Sequence, residues 1–255
     1  MKQYDAVIIG AGACGLMCSV QAGLLGKRTL LIEGNDKPGA KILISGGGRC
    51  NYTNLYTTVD NFVSANPKFL NAVFSLWSVE DTINFFEDFG GIQGQEKTLG
   101  QLFPTTNKAK DIVAVFTKLM FDTKQDIWLN TSVTDVSKID DDLFEISYLK
   151  GGRNSSIITS KVVVCTGGLP VVKLGASDFA LKVARKFGLN IVPTAPALVP
   201  LTITGKDADW YASLAGNSIF SEVFNDRIAF KENILFTHWG LSGPAILQIS
   251  SYWRP

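Results

Sequence analysis

The stretch VIIGAGACGLMCSVQAGLLGKRTLLIEG, residues 7–34, decides the fold of this 255-residue chain. Its first part is uncharged and long enough to imitate a membrane helix, but glycines interrupt it repeatedly. A signal peptide would begin with basic residues, whereas Asp5 follows Lys2 here. A second strand-like run, TLLIE, then follows at once. We therefore predict neither a membrane span nor a targeting segment.

A nucleotide-binding unit explains the same stretch better. YDAVIIG is typical of a buried parallel strand, and residues 10–15 fit the pattern GxGxxG before a helix that runs to about Leu25. Gly10 permits a tight turn, Gly12 lets the backbone approach a diphosphate, and Gly15 lets the helix pack closely on the strand. The second strand ends at Glu33, which suits a ribose diol and repels a 2′-phosphate. FAD or NAD fits this site better than NADP.

Two further segments favour FAD. FEISYLKGGRNSSIITSKVVVCTGG predicts two strands joined by a Gly-Gly turn, then an apolar strand ending in Thr166-Gly167-Gly168. The sequence contains no second GxGxxG, so no separate nicotinamide-nucleotide domain of the usual kind is encoded. In PGAKILISGGGRCNYTN, residues 38–54, three glycines precede Arg49 and Asn51. This loop is able to wrap a phosphate or the polar edge of a flavin, or to be an ordinary surface turn.

Composition limits the remaining function classes. The formal net charge of +1 predicts no general polyanion-binding surface. The four cysteines show neither a CxxC pair nor metal-ligand spacing, so we expect reduced thiols and a cytoplasmic protein. His238 is the only histidine, which excludes a His-rich metal site and ties any Ser-His-Asp site to one position. We predict no metal.

Several motifs, taken in their order along the chain, resemble those of a known protein family. The fingerprint, Glu33, GAKILISGGGRCNYTN, LFPTTNKAKDIV, TGG, PALVPL and LFTHWGLSGPAILQIS occur in this order. Together they resemble a family of bacterial NAD(P)/FAD-dependent oxidoreductase flavoproteins that carry a GGGRCN motif, with aminoacetone oxidase-like and bile-acid enone reductase-like members. The resemblance implies an α/β fold: a glutathione-reductase-like Rossmann FAD-binding domain with an inserted β-rich substrate domain. Family members are longer, so this chain is expected to be truncated at its C-terminus.

We predict two domains, an FAD-binding domain with a β-meander over residues 1–190 and the incomplete inserted domain over residues 191–255. In the first, SVEDTINFFEDFGG predicts a helix with Ser78 as N-cap and Gly90 past its end, and with Phe85, Phe86 and Phe89 in the core. In the second, a strand is expected to end at His238 and a helix to begin at Pro244.

The predicted site combines the fingerprint with the family motifs. His238 is the candidate catalytic residue, as a proton donor or substrate contact. The predicted cofactor-binding residues are Gly10, Gly12, Ala13, Gly15, Glu33, Lys41, Ser45, Gly46, Gly47, Gly48, Arg49, Cys50, Asn51, Thr166, Gly167 and Gly168. Cys50 has no resolving cysteine near it in sequence, so we expect a structural or flavin-adjacent thiol rather than a redox one.

Three functions remain open. The first is an FAD-dependent oxidoreductase that passes hydride from NAD(P)H through the flavin to an electron-poor C=C bond of a small molecule, or to oxygen. The second, which the resemblance to this family implies, is a flavin-dependent dihydrouridine synthase that acts on large-subunit ribosomal RNA. The third is a non-catalytic remnant of such an enzyme. The sequence leaves the substrate, the choice between NADH and NADPH, and the oligomeric state undecided.

Overall fold

The computed structural model describes residues 3–253, which form two compact units, one ending at Ile191 and one beginning at Val192. The strands are β1 (Ala6–Ile9), β2 (Thr29–Ile32), β3 (Thr53–Asn54), β4 (Gly94–Glu96), β5 (Gln101–Pro104), β6 (Asp126–Trp128), β7 (Thr131–Asp140), β8 (Leu143–Lys150), β9 (Arg153–Thr159), β10 (Val162–Val164), β11 (Leu201–Thr202), β12 (Ser218–Phe224), β13 (Ala229–Thr237) and β14 (Gly240–Ser242). The α-helices are α1 (Ala13–Leu24), α2 (Ala40–Gly48), α3 (Pro67–Leu76), α4 (Val79–Gly90), α5 (Ala109–Asp122), α6 (Phe179–Lys186), α7 (Ala208–Ser213) and α8 (Pro244–Ser250).

A parallel sheet in the order β10-β1-β2-β6 forms the centre of the first unit. Because side chains alternate along a strand, Ile8 of β1 faces the cluster that contains α1, α4 and α5, while Val7 and Ile9 face the other side. Both faces are buried, which explains why β1 and β2 consist of apolar or β-branched residues. The predicted Rossmann-type α/β fold with a parallel core is confirmed.

The meander lies on the second face of this sheet. Strands β7, β8 and β9 pair antiparallel in that order, and Val136 and Ile146 pack with Val7 and Ile9. The Gly-Gly turn that the sequence predicts lies between β8 and β9, where Gly151 and Gly152 both adopt positive φ. The chain then enters β10 and returns to the parallel sheet beside β1. A separate three-stranded sheet has the order β3-β5-β4.

Helix α4 shows where local sequence rules hold and where they are off by one residue. Ser78 caps the helix, because its Oγ accepts a hydrogen bond from the Asp81 amide at 3.0 Å. Gly90 is the last helical residue, and Gly91 (φ +62°) is the C-cap, so the predicted end is one residue too early. Phe85 and Phe86 are buried, whereas Phe89 is 41% exposed, so its assignment to the core is wrong.

The second unit contains an antiparallel sheet in the order β11-β14-β13-β12. Strand β13 ends at Thr237, one residue before the expected His238, and α8 begins at Pro244 as expected. That this unit is an inserted substrate domain remains a proposal. Within residues 3–253, no helix combines the length and the hydrophobicity that a membrane crossing requires.

Candidate cofactor-binding site

A cavity of about 650 Å³ lies in the first unit at the carboxyl ends of β1, β2 and β10. This edge of a parallel sheet is where nucleotide ligands bind in open α/β folds. The cavity brings together residues that are far apart in sequence, from the fingerprint, the end of β2, the start of α2 and the segment after β10. The predicted site residues among its lining are Gly10, Gly12, Ala13, Glu33, Lys41, Thr166 and Gly167.

The fingerprint glycines have separate physical roles. A Cβ on Gly10 would lie 2.7 Å from the carbonyl oxygen of Cys165, and one on Gly15 would collide with the carbonyl oxygen of Gly10. Both glycines therefore allow β1, α1 and the end of β10 to approach closely. A Cβ on Gly12 would have no atom within 4 Å, because this residue faces open space at the cavity wall.

The N-terminus of α1 lies against the cavity, and no side chain of the helix itself offsets the partial positive charge there. Gly12 is the N-cap, so no side chain caps the helix, and its first turn contains no acidic residue. The first amides of a helix have no partner within the helix, and the helix dipole adds partial positive charge there. This arrangement suits a diphosphate.

Glu33, at the end of β2, is held in place by three hydrogen bonds. The Ala11 amide donates to Oε2 at 2.6 Å, which ties the carboxylate to the fingerprint. The backbone amide and Nδ2 of Asn35 donate to Oε1 at 2.9 and 2.7 Å. Each carboxylate oxygen can accept more than one hydrogen bond, so Glu33 keeps acceptor capacity for a ribose hydroxyl.

Lys41 and Thr166 supply the remaining polar groups. A Cβ on Gly167 would lie 3.8 Å from Lys41 Nζ, which places this ammonium beside the segment that follows β10. The Thr166 hydroxyl is buried and has no hydrogen-bond partner among the described residues. A buried polar atom of this kind normally has a partner, so Thr166 is a further position where a ligand group fits. The cation, the carboxylate, the unpaired hydroxyl and the uncapped helix together fit the polar parts of FAD.

The glycine loop that was predicted to wrap the cofactor is not part of this cavity lining. Residues 46–48 form the C-terminal end of α2, where Gly46 and Gly47 depart from helical geometry, and all three glycines adopt positive φ. The Arg49 Nε donates to the Gly46 carbonyl oxygen at 2.8 Å, and its guanidinium carbon lies 5.2 Å from the centre of the Phe103 ring. These local contacts hold the segment in place, and its predicted role in wrapping a phosphate or the flavin stays a prediction.

The other predicted site residues are not part of the cavity lining. Ser45 Oγ donates to the Ile42 carbonyl oxygen at 2.8 Å, and Cys50 is buried with a pKa that burial raises. The Asn51 amide nitrogen, oriented to satisfy its neighbours, donates to the carbonyl oxygens of Thr53 and Leu102. Gly168 is exposed after the cavity segment, and His238 is exposed between β13 and β14 in the second unit. Their roles toward a cofactor remain predictions.

Sequence reasoning missed two polar features of the cavity. Asn35 orients Glu33 and also donates to the Leu174 carbonyl oxygen at 3.3 Å, a long-range contact that no local pattern reveals. Cys14 and Cys165 both line the cavity, with their sulfur atoms 3.4 Å apart. The sequence has no CxxC pair, and the fold alone brings these two cysteines together across 151 residues. Within residues 3–253, no group of three His, Cys, Asp or Glu side chains could hold a metal ion.

Comparison with known proteins identifies the family. The model of the HI0933-like protein Rossmann domain matches residues 4–244, which is nearly the whole chain. The chain belongs to this family. A solved structure of 3-ketosteroid delta1-dehydrogenase from Sterolibacterium denitrificans shares the fold, with a TM-score of 0.53 at 13% identity over 73% of this chain and 55% of that one. Family and fold together show a Rossmann-type domain, and the choice of cofactor rests on the groups around its cavity.

Three curated relatives differ in how similar they are to this chain. The ribosomal RNA dihydrouridine synthases of Escherichia coli and Haemophilus influenzae are 44% and 36% identical, each over 100% of this chain and over 62% and 63% of their own lengths. A 3-dehydro-bile acid delta(4,6)-reductase of Clostridium scindens is 23% identical over 96% of this chain and 59% of its own length. The chain therefore spans about three fifths of these relatives. The predicted bile-acid reductase branch is a distant relative, and the ribosomal RNA enzymes are more similar.

Proposed function

We propose that this chain forms the cofactor-binding part of a flavin-dependent ribosomal RNA dihydrouridine synthase. The observation that carries the proposal is the 44% identity to the Escherichia coli enzyme over the whole chain, including the segments that build the cavity. The formal net charge of +1 provides no broad basic surface for RNA. The RNA substrate is therefore argued from similarity, and the cofactor from geometry.

In this proposal each group around the cavity has a defined task toward FAD. The start of α1 at Gly12 and Ala13 holds the diphosphate, and Lys41 neutralises part of its charge. Glu33, oriented by Asn35, accepts hydrogen bonds from the adenosine ribose. The Thr166 hydroxyl gains its missing hydrogen-bond partner from the cofactor. The loop residues Arg49 to Asn51 remain candidates for the flavin end.

FAD, when bound, supplies hydride transfer, and NAD(P)H is the proposed electron donor. Reduction of uridine to dihydrouridine adds one hydride and one proton across the C5=C6 bond. The base must leave its stack before a protein can reach this bond. His238, exposed between β13 and β14, is the proposed proton donor or substrate contact.

Complementation tests the substrate. The gene encoding this chain is expressed in an Escherichia coli strain that lacks its 44% identical synthase, and dihydrouridine is measured by mass spectrometry of digested large-subunit ribosomal RNA. We expect the wild-type gene to restore dihydrouridine, and Gly12→Ala to restore much less because its Cβ enters the cavity. Folded, flavin-containing protein without restored dihydrouridine would contradict the RNA substrate and favour a small-molecule C=C acceptor.

Flavin binding tests the cofactor independently. We expect the purified protein to show flavin absorbance that bleaches on addition of NADH or NADPH. A folded protein that binds no FAD would contradict the cofactor assignment and favour the non-catalytic alternative.

A further inference from the structure

Two thiols face each other in the wall of the cofactor cavity. Cys14 Sγ and Cys165 Sγ lie 3.4 Å apart, although 151 residues separate them in the chain. Cys14 is in the first turn of α1 and is exposed, whereas Cys165 directly follows β10 and is 8% exposed. A disulfide has an S–S bond of about 2.05 Å, so the sulfurs need to approach by roughly 1.4 Å.

We propose that Cys14 and Cys165 are a redox-active dithiol that hydrogen peroxide converts to a disulfide in the wall of the cofactor cavity. The two thiols have different roles because their exposure differs. Cys14 is the one that a solvent-borne oxidant reaches. Burial, together with the hydrogen bond to Cys14, raises the pKa of the Cys165 thiol above its ordinary value, which suits Cys165 to the second, resolving role.

The chemistry requires two steps. Cys14 Sγ attacks one peroxide oxygen, the O–O bond breaks, and the products are a sulfenic acid on Cys14 and one water molecule. Cys165 Sγ then attacks Cys14 Sγ and breaks the S–O bond, and the hydroxide takes up the Cys165 proton as a second water molecule. Overall, two thiols lose two electrons and two protons, and one peroxide is reduced to two water molecules.

The position of the pair connects its oxidation to cofactor binding. Cys14 follows Gly12 and Ala13, the residues proposed to hold the diphosphate, and all three line the cavity. A bound cofactor covers Cys14, so we expect FAD to suppress disulfide formation. This part depends on the proposed FAD binding, whereas the existence of the dithiol does not.

Peptide mapping tests the dithiol directly. The purified protein is treated with hydrogen peroxide, its remaining thiols are alkylated with N-ethylmaleimide, and it is digested without reduction for mass spectrometry. We expect a linked Cys14–Cys165 peptide that dithiothreitol separates. Cys14→Ser and Cys165→Ser should each abolish it, and Cys18→Ser, one turn along the same helix, should retain it. Cys14 recovered as sulfinic acid, or linked to Cys18, with Cys165 still alkylated would overturn the proposal.

Repeating the reaction with FAD separates this proposal from the proposed function. If only cofactor-free protein reacts, FAD at about 100 times its Kd slows linkage about 100-fold. Bound FAD, seen by absorbance, with an unchanged linkage rate would overturn the coupling. Absence of FAD binding with normal linkage would instead contradict the proposed function and leave the dithiol in place.

Discussion

Two glycine-rich segments of the first unit use glycine for different reasons. In residues 10–15, Gly10 and Gly15 mainly provide room, because a Cβ on either would meet backbone atoms, and Gly10 alone of the two has a positive φ. In residues 46–48, the three glycines provide positive φ, and of these only Gly46 would bring a Cβ within 3 Å of another atom. The first segment lines the cavity, whereas the second is held by Arg49 and Phe103.

This difference shows that a glycine motif gains its meaning from the elements around it. Residues 10–15 follow a buried parallel strand and open a helix, so their position at the carboxyl edge of the sheet is determined by the fold. Residues 46–48 end α2 and precede β3, so their glycines allow the positive φ that this tight connection requires. Substitutions in the two segments should therefore affect stability and FAD binding differently.

Gly15→Ala should have the largest effect. Its Cβ would collide with the Gly10 carbonyl oxygen, and backbone atoms cannot rotate away as a side chain does. We expect the free energy of unfolding to fall by about 3 kcal/mol, measured by urea denaturation, together with loss of FAD binding. Gly12→Ala is the matched control, since its Cβ has no atom within 4 Å. It should keep its stability and bind FAD more weakly by roughly tenfold or more.

The opposite results for these two variants would contradict the roles assigned to Gly15 and Gly12. A stable Gly15→Ala protein would mean that β1 and α1 separate more easily than their packing indicates. A Gly12→Ala protein with unchanged FAD affinity would mean that the open wall beside Gly12 is not where the diphosphate lies.

Gly46→Ala and Gly47→Ala test the second segment. Both residues have positive φ, so each substitution should cost about 1 kcal/mol from the left-handed conformation alone. At Gly46 a Cβ would also lie 2.7 Å from Phe103 Cε1, whereas at Gly47 no atom is within 4 Å. We expect Gly46→Ala to lower the free energy of unfolding by about 1 kcal/mol more than Gly47→Ala, measured by urea denaturation. Equal losses would show that the Phe103 ring moves aside freely.

Glu33→Gln probes the carboxylate that is hydrogen-bonded to Ala11 of the first segment. A glutamine presents one acceptor and one donor, so it cannot accept from both Ala11 and Asn35 as Glu33 does. We expect stability to fall by about 1 kcal/mol and the Kd for FAD to rise roughly tenfold, measured by fluorescence titration. Asn35→Ala is the companion variant, because it leaves the carboxylate but removes its orienting group. An unchanged Kd in both variants would exclude Glu33 from the ribose contact.

Local patterns in the sequence predict the elements of this fold better than the contacts between them. The strand at residues 6–9, the helix from Ala13 and the cap at Ser78 each follow from hydrophobic periodicity or capping chemistry within a few residues. The bond from Ala11 to Glu33, by contrast, depends on how β1 and β2 pair. The approach of Cys14 to Cys165 depends on β10 returning beside β1 after the whole meander. No local rule encodes that distance, so the dithiol is visible only in the folded chain.

Arg49→Lys should have the smallest effect on stability, and it tests directly whether the second segment contacts the cofactor. Lysine keeps the positive charge but loses the Nε bond to the Gly46 carbonyl oxygen and the planar guanidinium beside Phe103. Because Arg49 is exposed, we expect a loss of only about 0.5 kcal/mol in the free energy of unfolding. Its effect on the Kd for FAD should be smaller than that of Glu33→Gln, since Arg49 does not line the cavity. Urea denaturation and fluorescence titration of both variants measure the two quantities. A larger rise in Kd for Arg49→Lys would mean that the second glycine segment contacts the cofactor after all, and the distinction between a binding segment and a structural one would fail.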